Sequence, residues 1–180
     1  MTPSTNKTSV ITRLAEPQDV AALVKIINYA YRGGKEQKSW TGEEHLISGA
    51  RVTQEELLEL MSTTGKHLLV AESLDGQVVG CVVCETDGPE AYTGMLAVDP
   101  DVQSGGIGSS LMTAAHDRAR QLGKASSMMT VLCGRPELQS WYERLGYKPT
   151  GETKPFPAGG DSRWSTLKPD LYFVVMRKQL

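Results

Sequence analysis

The chain has 180 residues, 39% hydrophobic and 22% charged, with a formal net charge of −2. That length predicts a single domain over residues 1–180, and the charge leaves no electrostatic footprint for nucleic acid. No apolar run reaches membrane-spanning length, and residues 1–8 read as a flexible tail without a signal-peptide core. With three cysteines and no disulfide framework implied, a cytoplasmic protein is expected.

Ser9–Leu14 is the first predicted strand. Pro17 opens a helix whose apolar face is Val20, Leu23, Val24, Ile27 and Tyr31, and Gly33-Gly34 end it. Lys35–Arg51 reads as a polar, irregular connection. Thr53-Gln-Glu-Glu56 is a capping box for a second helix carrying Leu57, Leu58, Leu60 and Met61, broken at Gly65. His67–Leu74 and Gln77–Glu85 flank Asp75-Gly76, a strong hairpin signal. Cys81 and Cys84 lie in an apolar strand run, where positions i and i+3 face opposite ways, so core packing is expected rather than a shared metal. Cys133 has no activating neighbour in sequence, and His45, His67 and His116 show no metal-ligand spacing.

Ala91–Val98 is the next strand, and it runs into the glycine-rich stretch Gln103-Ser104-Gly105-Gly106-Ile107-Gly108. Helical spacing follows from Ser109 through Leu111, Ala115, Ala119 and Leu122, with Gly123 as the stop. The first turn of a helix has amides without intrahelical partners and a positive dipole end, so glycines there let an anion approach closely. The loop suits a phosphate. No Gly-Lys-Ser/Thr follows, and Leu111 stands where a dinucleotide fingerprint needs its third glycine. Gln103-x-x-Gly106-x-Gly108 instead resembles the acetyl-CoA loop of the GCN5-related N-acetyltransferase (GNAT) superfamily.

Ser126–Leu132 is a further strand, Pro136 to Leu145-Gly146 a short helix, Tyr147 to about Phe156 a strand, Pro157–Pro169 a long loop, and Tyr172–Arg177 the closing strand. Leu138-Gln-Ser-Trp141-Tyr142-Glu143-Arg144-Leu145-Gly146-Tyr147 resembles the superfamily's second signature, and the element order is similar from about Val10 to Arg177. The resemblance implies an α+β fold, a mixed, mostly antiparallel twisted sheet of about seven strands flanked by four helices. Two splayed strands in it hold CoA.

It also implies the chemistry. An acceptor amine of pKa ~10 must lose its proton, at about 4–5 kcal/mol at pH 7. The oxyanion that forms on attack needs a donor, and the leaving thiolate needs a proton. By resemblance, Leu96 or its neighbour polarises the acetyl carbonyl through the backbone, with Ala97 and Val98 on the same cofactor-binding strand. Tyr142 protonates the CoA sulfur. Gln103, Ser104, Gly105, Gly106, Ile107, Gly108 and Ser109 cradle the pyrophosphate, and Arg135 serves the cofactor or an acceptor carboxylate, or is a surface or capping arginine. The positions where relatives carry a glutamate base hold Tyr92 and Thr130. Glu85 and Glu90 are nearby alternatives, as is a water chain.

Lys35–Arg51 and Gly151–Pro169 are expected to form the acceptor site, with Trp40, Glu43, Glu152, Phe156 and Trp164 as liners suited to a cationic amine. The reading is an acetyl-CoA-dependent N-acetyltransferase acting directly on an amine, as monomer or homodimer, with no metal, nucleic acid or membrane partner. The alternatives are a catalytically idle CoA-binding module and a protein N-terminal acetyltransferase.

Overall fold

The computed structural model describes residues 9–33, 46–102, 105–157, 164–167 and 170–180. Its strands are β1 (Val10–Leu14), β2 (Ile47–Gly49), β3 (Lys66–Ser73), β4 (Val78–Glu85), β5 (Ala91–Val98), β6 (Ser126–Leu132), β7 (Lys148–Pro155), β8 (Trp164–Thr166) and β9 (Tyr172–Gln179). Its helices are α1 (Val20–Arg32), α2 (Gln54–Ser62), α3 (Ile107–Gln121) and α4 (Pro136–Arg144). Seven strands form one sheet in the order β1-β3-β4-β5-β6-β9-β7, antiparallel except where β5 meets β6.

Strand alternation divides the interior into two layers. On one face Leu68, Val70, Cys81, Val83 and Ala97 pack against Leu23, Ile27 and Ala30 of α1 and Leu57 of α2. On the other, Leu69, Ala71, Val82, Cys84, Leu96 and Val98 pack against Ile107, Leu111, Met112 and Ala115 of α3. Cys81 and Cys84 fall in different layers, as period-2 geometry requires. Burial pushes their thiols up to about 12 and about 11, which makes them packing groups rather than nucleophiles. Each buried leucine or isoleucine on these faces contributes roughly 1.5–3 kcal/mol of apolar transfer.

Local chemistry sets the element ends. Thr53 Oγ1 accepts the Glu56 amide while the Glu56 carboxylate accepts the Thr53 amide, closing the capping box. The connections expected to be wholly irregular contain β2 and β8, which pair with each other as Ile47↔Thr166 through Gly49↔Trp164. Three-residue strands carry too little alternation to be read from sequence. Among the apolar residues assigned to α2 only Leu57 is buried, and Leu58 faces solvent.

Candidate active site

The strands β5 and β6 make only two pairs, Ala91↔Ser127 and Tyr92↔Met128, and then part, so Gly94–Val98 have no partner on β6. Two side-chain bonds pin the fork, one on each sheet face, because Tyr92 and Thr93 point opposite ways. Tyr92 Oη shares a hydrogen bond with Thr130 Oγ1 at 2.9 Å, and Thr93 Oγ1 shares one with Ser127 Oγ at 2.9 Å. The second bond continues to Tyr147 Oη at 2.8 Å and on to His116 Nε2 at 2.8 Å, all within the buried layer. Burial holds the His116 imidazole down to about 4 and the Tyr147 phenol up to about 12.

On its other edge β5 is bulged. Cys81 pairs with Ala97 and Val83 with Gly94, so Met95 and Leu96 together oppose Val82. Met95 takes φ 49, a left-handed conformation uncommon for a side-chain-bearing residue, and neither bulge residue has a ladder partner. The bulge therefore lies on the stretch of β5 that borders the fork.

Downstream, Gly106 caps α3 with φ 78 and ψ 9 and supplies no side chain, and no side-chain cap bond is made there among the described residues. The first intrahelical bond reaches Ser110 from the Gly106 carbonyl, so the amides of Ile107, Gly108 and Ser109 lie in the unpartnered first turn. Gly105 and Ile107 are buried beside them. Gln103 and Ser104 lie outside the described residues.

A cavity of about 300 Å³ occupies the fork. Leu96 from the bulge and Tyr142 from α4 both line it, together with Tyr92, Thr130 and Leu138. Tyr142 is buried edge-on between Trp141 and Tyr147, at ring distances of 4.9 and 6.1 Å. The far wall comes from α1 and the β2 region through Tyr31, Arg32, Ile47 and Arg51, and from Phe156 and Phe173. The fork thus brings the expected carbonyl-polarising strand and the expected proton donor to one chamber.

Other expected residues fall elsewhere. Arg135 is 6% exposed and starts α4, with Nε on Glu137 Oε1 at 2.6 Å and a buried Nη1 that has no partner. It is not the surface residue its position allowed. Glu85 pairs with Lys66, and Glu90 is bound by Arg177 and Ser126, so both serve the sheet and neither lines the cavity. Glu152 is also absent from the cavity wall, since Arg177 holds it at the surface and keeps its carboxyl below the usual range. Phe156 does line it. Trp40 and Glu43 lie outside the described residues, and of Trp164 only the backbone, in β8, is described. The arginines of the far wall, Arg32 and Arg51, were missed, because only the tertiary fold turns α1 and the β2–α2 connection toward β5.

The forked open sheet and its glycine-started helix belong to a fold shared with solved N-acetyltransferase structures. Residues 64–149 match the family described as Acetyltransferase (GNAT) domain. A candidate phosphinothricin N-acetyltransferase superposes with TM-score 0.71 at 23% identity, over 96% of this chain and 99% of that one. A ribosomal-protein-alanine N-acetyltransferase from Brucella melitensis gives 0.67 at 22%, over 94% and 99%. A phosphinothricin acetyltransferase from Sinorhizobium meliloti, in complex with AcCoA, gives 0.68 at 17%, over 95% and 88%. No curated protein sequence matches this chain. Among the described residues no helix is long and apolar enough to cross a membrane.

Proposed function

We propose that the protein transfers the acetyl group of acetyl-CoA directly to an amine bound in the fork. The observation that carries this reading is the convergence of the Met95–Leu96 bulge and Tyr142 on one cavity, with the uncapped start of α3 following on from the same strand. The AcCoA complex of a similar fold supports it.

The residues present fit the cofactor. A Cβ built on Gly108 would meet Trp141 at 3.5 Å and Val98 at 3.9 Å, ordinary contacts, so the protein's own packing does not demand glycine there. Close approach of a phosphate to the amides does. Arg135 Nη1 is a buried donor without an acceptor, the condition that a bound acceptor group relieves. We assign pyrophosphate binding to the amides of Gly105, Gly106, Ile107, Gly108 and Ser109, with Gln103 and Ser104 as neighbours. Leu96, Ala97 and Val98 hold the pantetheine arm along β5.

Acetyl-CoA supplies an activated acetyl thioester. The Leu96 amide, freed from the ladder by the bulge, donates to the acetyl oxygen and favours the charge that develops there. Tyr142 Oη delivers a proton to the departing sulfur. No carboxylate lines the cavity among the described residues, so the Tyr92–Thr130 hydroxyl pair passes the acceptor's proton toward water.

A thermal titration tests the cofactor reading. Acetyl-CoA at a hundred times its dissociation constant should stabilise the fold by about 2.7 kcal/mol. NAD and ATP should do far less. Gly108→Ala should leave the unliganded melting temperature unchanged or slightly higher and cost tenfold or more in acetyl-CoA affinity. Equal affinity in the variant would remove the phosphate cradle from this loop.

A further inference from the structure

The far wall of the cavity carries Arg51, and we propose that the acceptor is a small amine bearing a carboxylate, in its simplest form an apolar amino acid, with the carboxylate held by Arg51. The inference rests on the acetyl-transfer reading for the fate of the amine.

The charge is placed by construction. Asn28 of α1 accepts the backbone amides of both Arg51 and Val52 and donates to the Val52 carbonyl at 2.9 Å. One helical turn later, the Tyr31 ring lies 5.3 Å from the Arg51 guanidinium carbon, a cation–π contact that orients the side chain on the wall. Among the described residues no carboxylate forms an ion pair with Arg51. Arg32, the second cation of the wall, donates through Nε to the Gly49 carbonyl at 2.9 Å. The Arg51 charge also reaches Cys81, whose strand partner is Ala97, so the guanidinium lies within electrostatic range of the bulge.

A guanidinium fork is matched to a carboxylate, which it binds through two parallel hydrogen bonds. The rest of the wall is apolar. Phe156 stacks on Phe173 at 5.3 Å and both pack with Ile47 and Leu132, which suits a hydrocarbon side chain. The cavity volume of about 300 Å³ fits an acetyl group and an amino acid.

The test is calorimetric titration of the CoA-loaded protein with N-acetyl-L-leucine, the product of such a transfer, and with its neutral isostere N-acetyl-L-leucinamide. The acid should bind roughly 10–100-fold tighter, the range for charge-assisted hydrogen bonds. Arg51→Gln should erase that preference without changing CoA affinity, and Arg51→Lys should keep a reduced part of it. The proposal is overturned if the amide binds as well as the acid, if neither binds at millimolar concentration, or if the preference survives Arg51→Gln. Should Arg51→Gln fail to fold, the acid–amide comparison on the unaltered protein still decides. Failure of the acetyl-transfer reading shows separately, as absent CoA binding or an absent N-acetylated product.

Discussion

Met95 holds a φ of 49 in the middle of a strand, and only Asp170 shares a positive φ among the described non-glycine residues. A left-handed residue of this kind costs about 1–2 kcal/mol, which the surrounding sheet must impose. The return is a Leu96 amide outside the ladder. Met95→Val places a β-branched side chain at that φ and should lower the urea midpoint and the turnover number together, whereas Met95→Gly should tolerate the bulge. A Met95→Val enzyme of unchanged stability and rate would show that the bulge is not held at this residue. Tyr142 can be separated from its packing by Tyr142→Phe, which keeps the ring between Trp141 and Tyr147. Turnover should fall by about 10²–10⁴, the range for a lost general acid, with KM for acetyl-CoA nearly unchanged. A full-rate variant would make Tyr142 a packing residue and leave the sulfur to depart as thiolate.

At the scale of elements, the chain Thr93–Ser127–Tyr147–His116 joins β5 and β6 to β7's start and to α3 at the point where the fork opens. His116 is neutral in the fold, with its pKa held to about 4 against an ordinary 6.5 by burial and then by Lys178. The unfolded chain therefore takes up a proton that the fold refuses. The contribution is present in full above pH 6.5 and is lost as pH falls toward 4, up to about 3 kcal/mol. His67, also shifted down by burial, acts in the same direction, while Asp19 and Glu137 with lowered carboxyls matter only at lower pH. Urea unfolding at pH 7 and pH 5 should show a smaller drop for His116→Gln than for the unaltered protein. Equal drops would mean that His116 is not buried neutral.

The same elements show what the sequence makes legible. Gly105–Gly108, the 138–147 segment and the Asp75-Gly76 turn are local signals; the glycines stand at the start of α3, the segment begins on α4, and Gly76 has the positive φ its turn requires. The bulge is not legible, because Tyr92–Val98 reads as an ordinary apolar strand and only its register against β4 reveals the extra residue. The arginine wall is illegible for a related reason. Arg32 ends a helix and Arg51 precedes one, and nothing local distinguishes them from surface cations until α1 is laid across β4 and β5. Glu90 shows the converse, a carboxylate of the right type near the right strand that the sheet has already paired with Arg177.

For the whole molecule, the sheet divides its labour. The half from β1 to β5 is closed by two hydrophobic layers, and the half from β6 to β7 is joined to it through two backbone pairs, buried hydroxyls and the core layer that Met129, Val131, Tyr147 and Met176 share with α3. A sheet opened at its middle offers a strand edge without edge-to-edge aggregation, because the exposed stretch lies inside the fold and not at its rim. The reaction proposed for that opening is transfer, not hydrolysis. The protein should be incubated with acetyl-CoA carrying a labelled acetyl group and a pool of amino acids and amines, and the products read by mass spectrometry. The account predicts a labelled N-acetyl amine in equal amount to free CoA, with the carboxylate-bearing amines favoured. Labelled acetate without an N-acetylated product, or acetyl-CoA left intact, would contradict it.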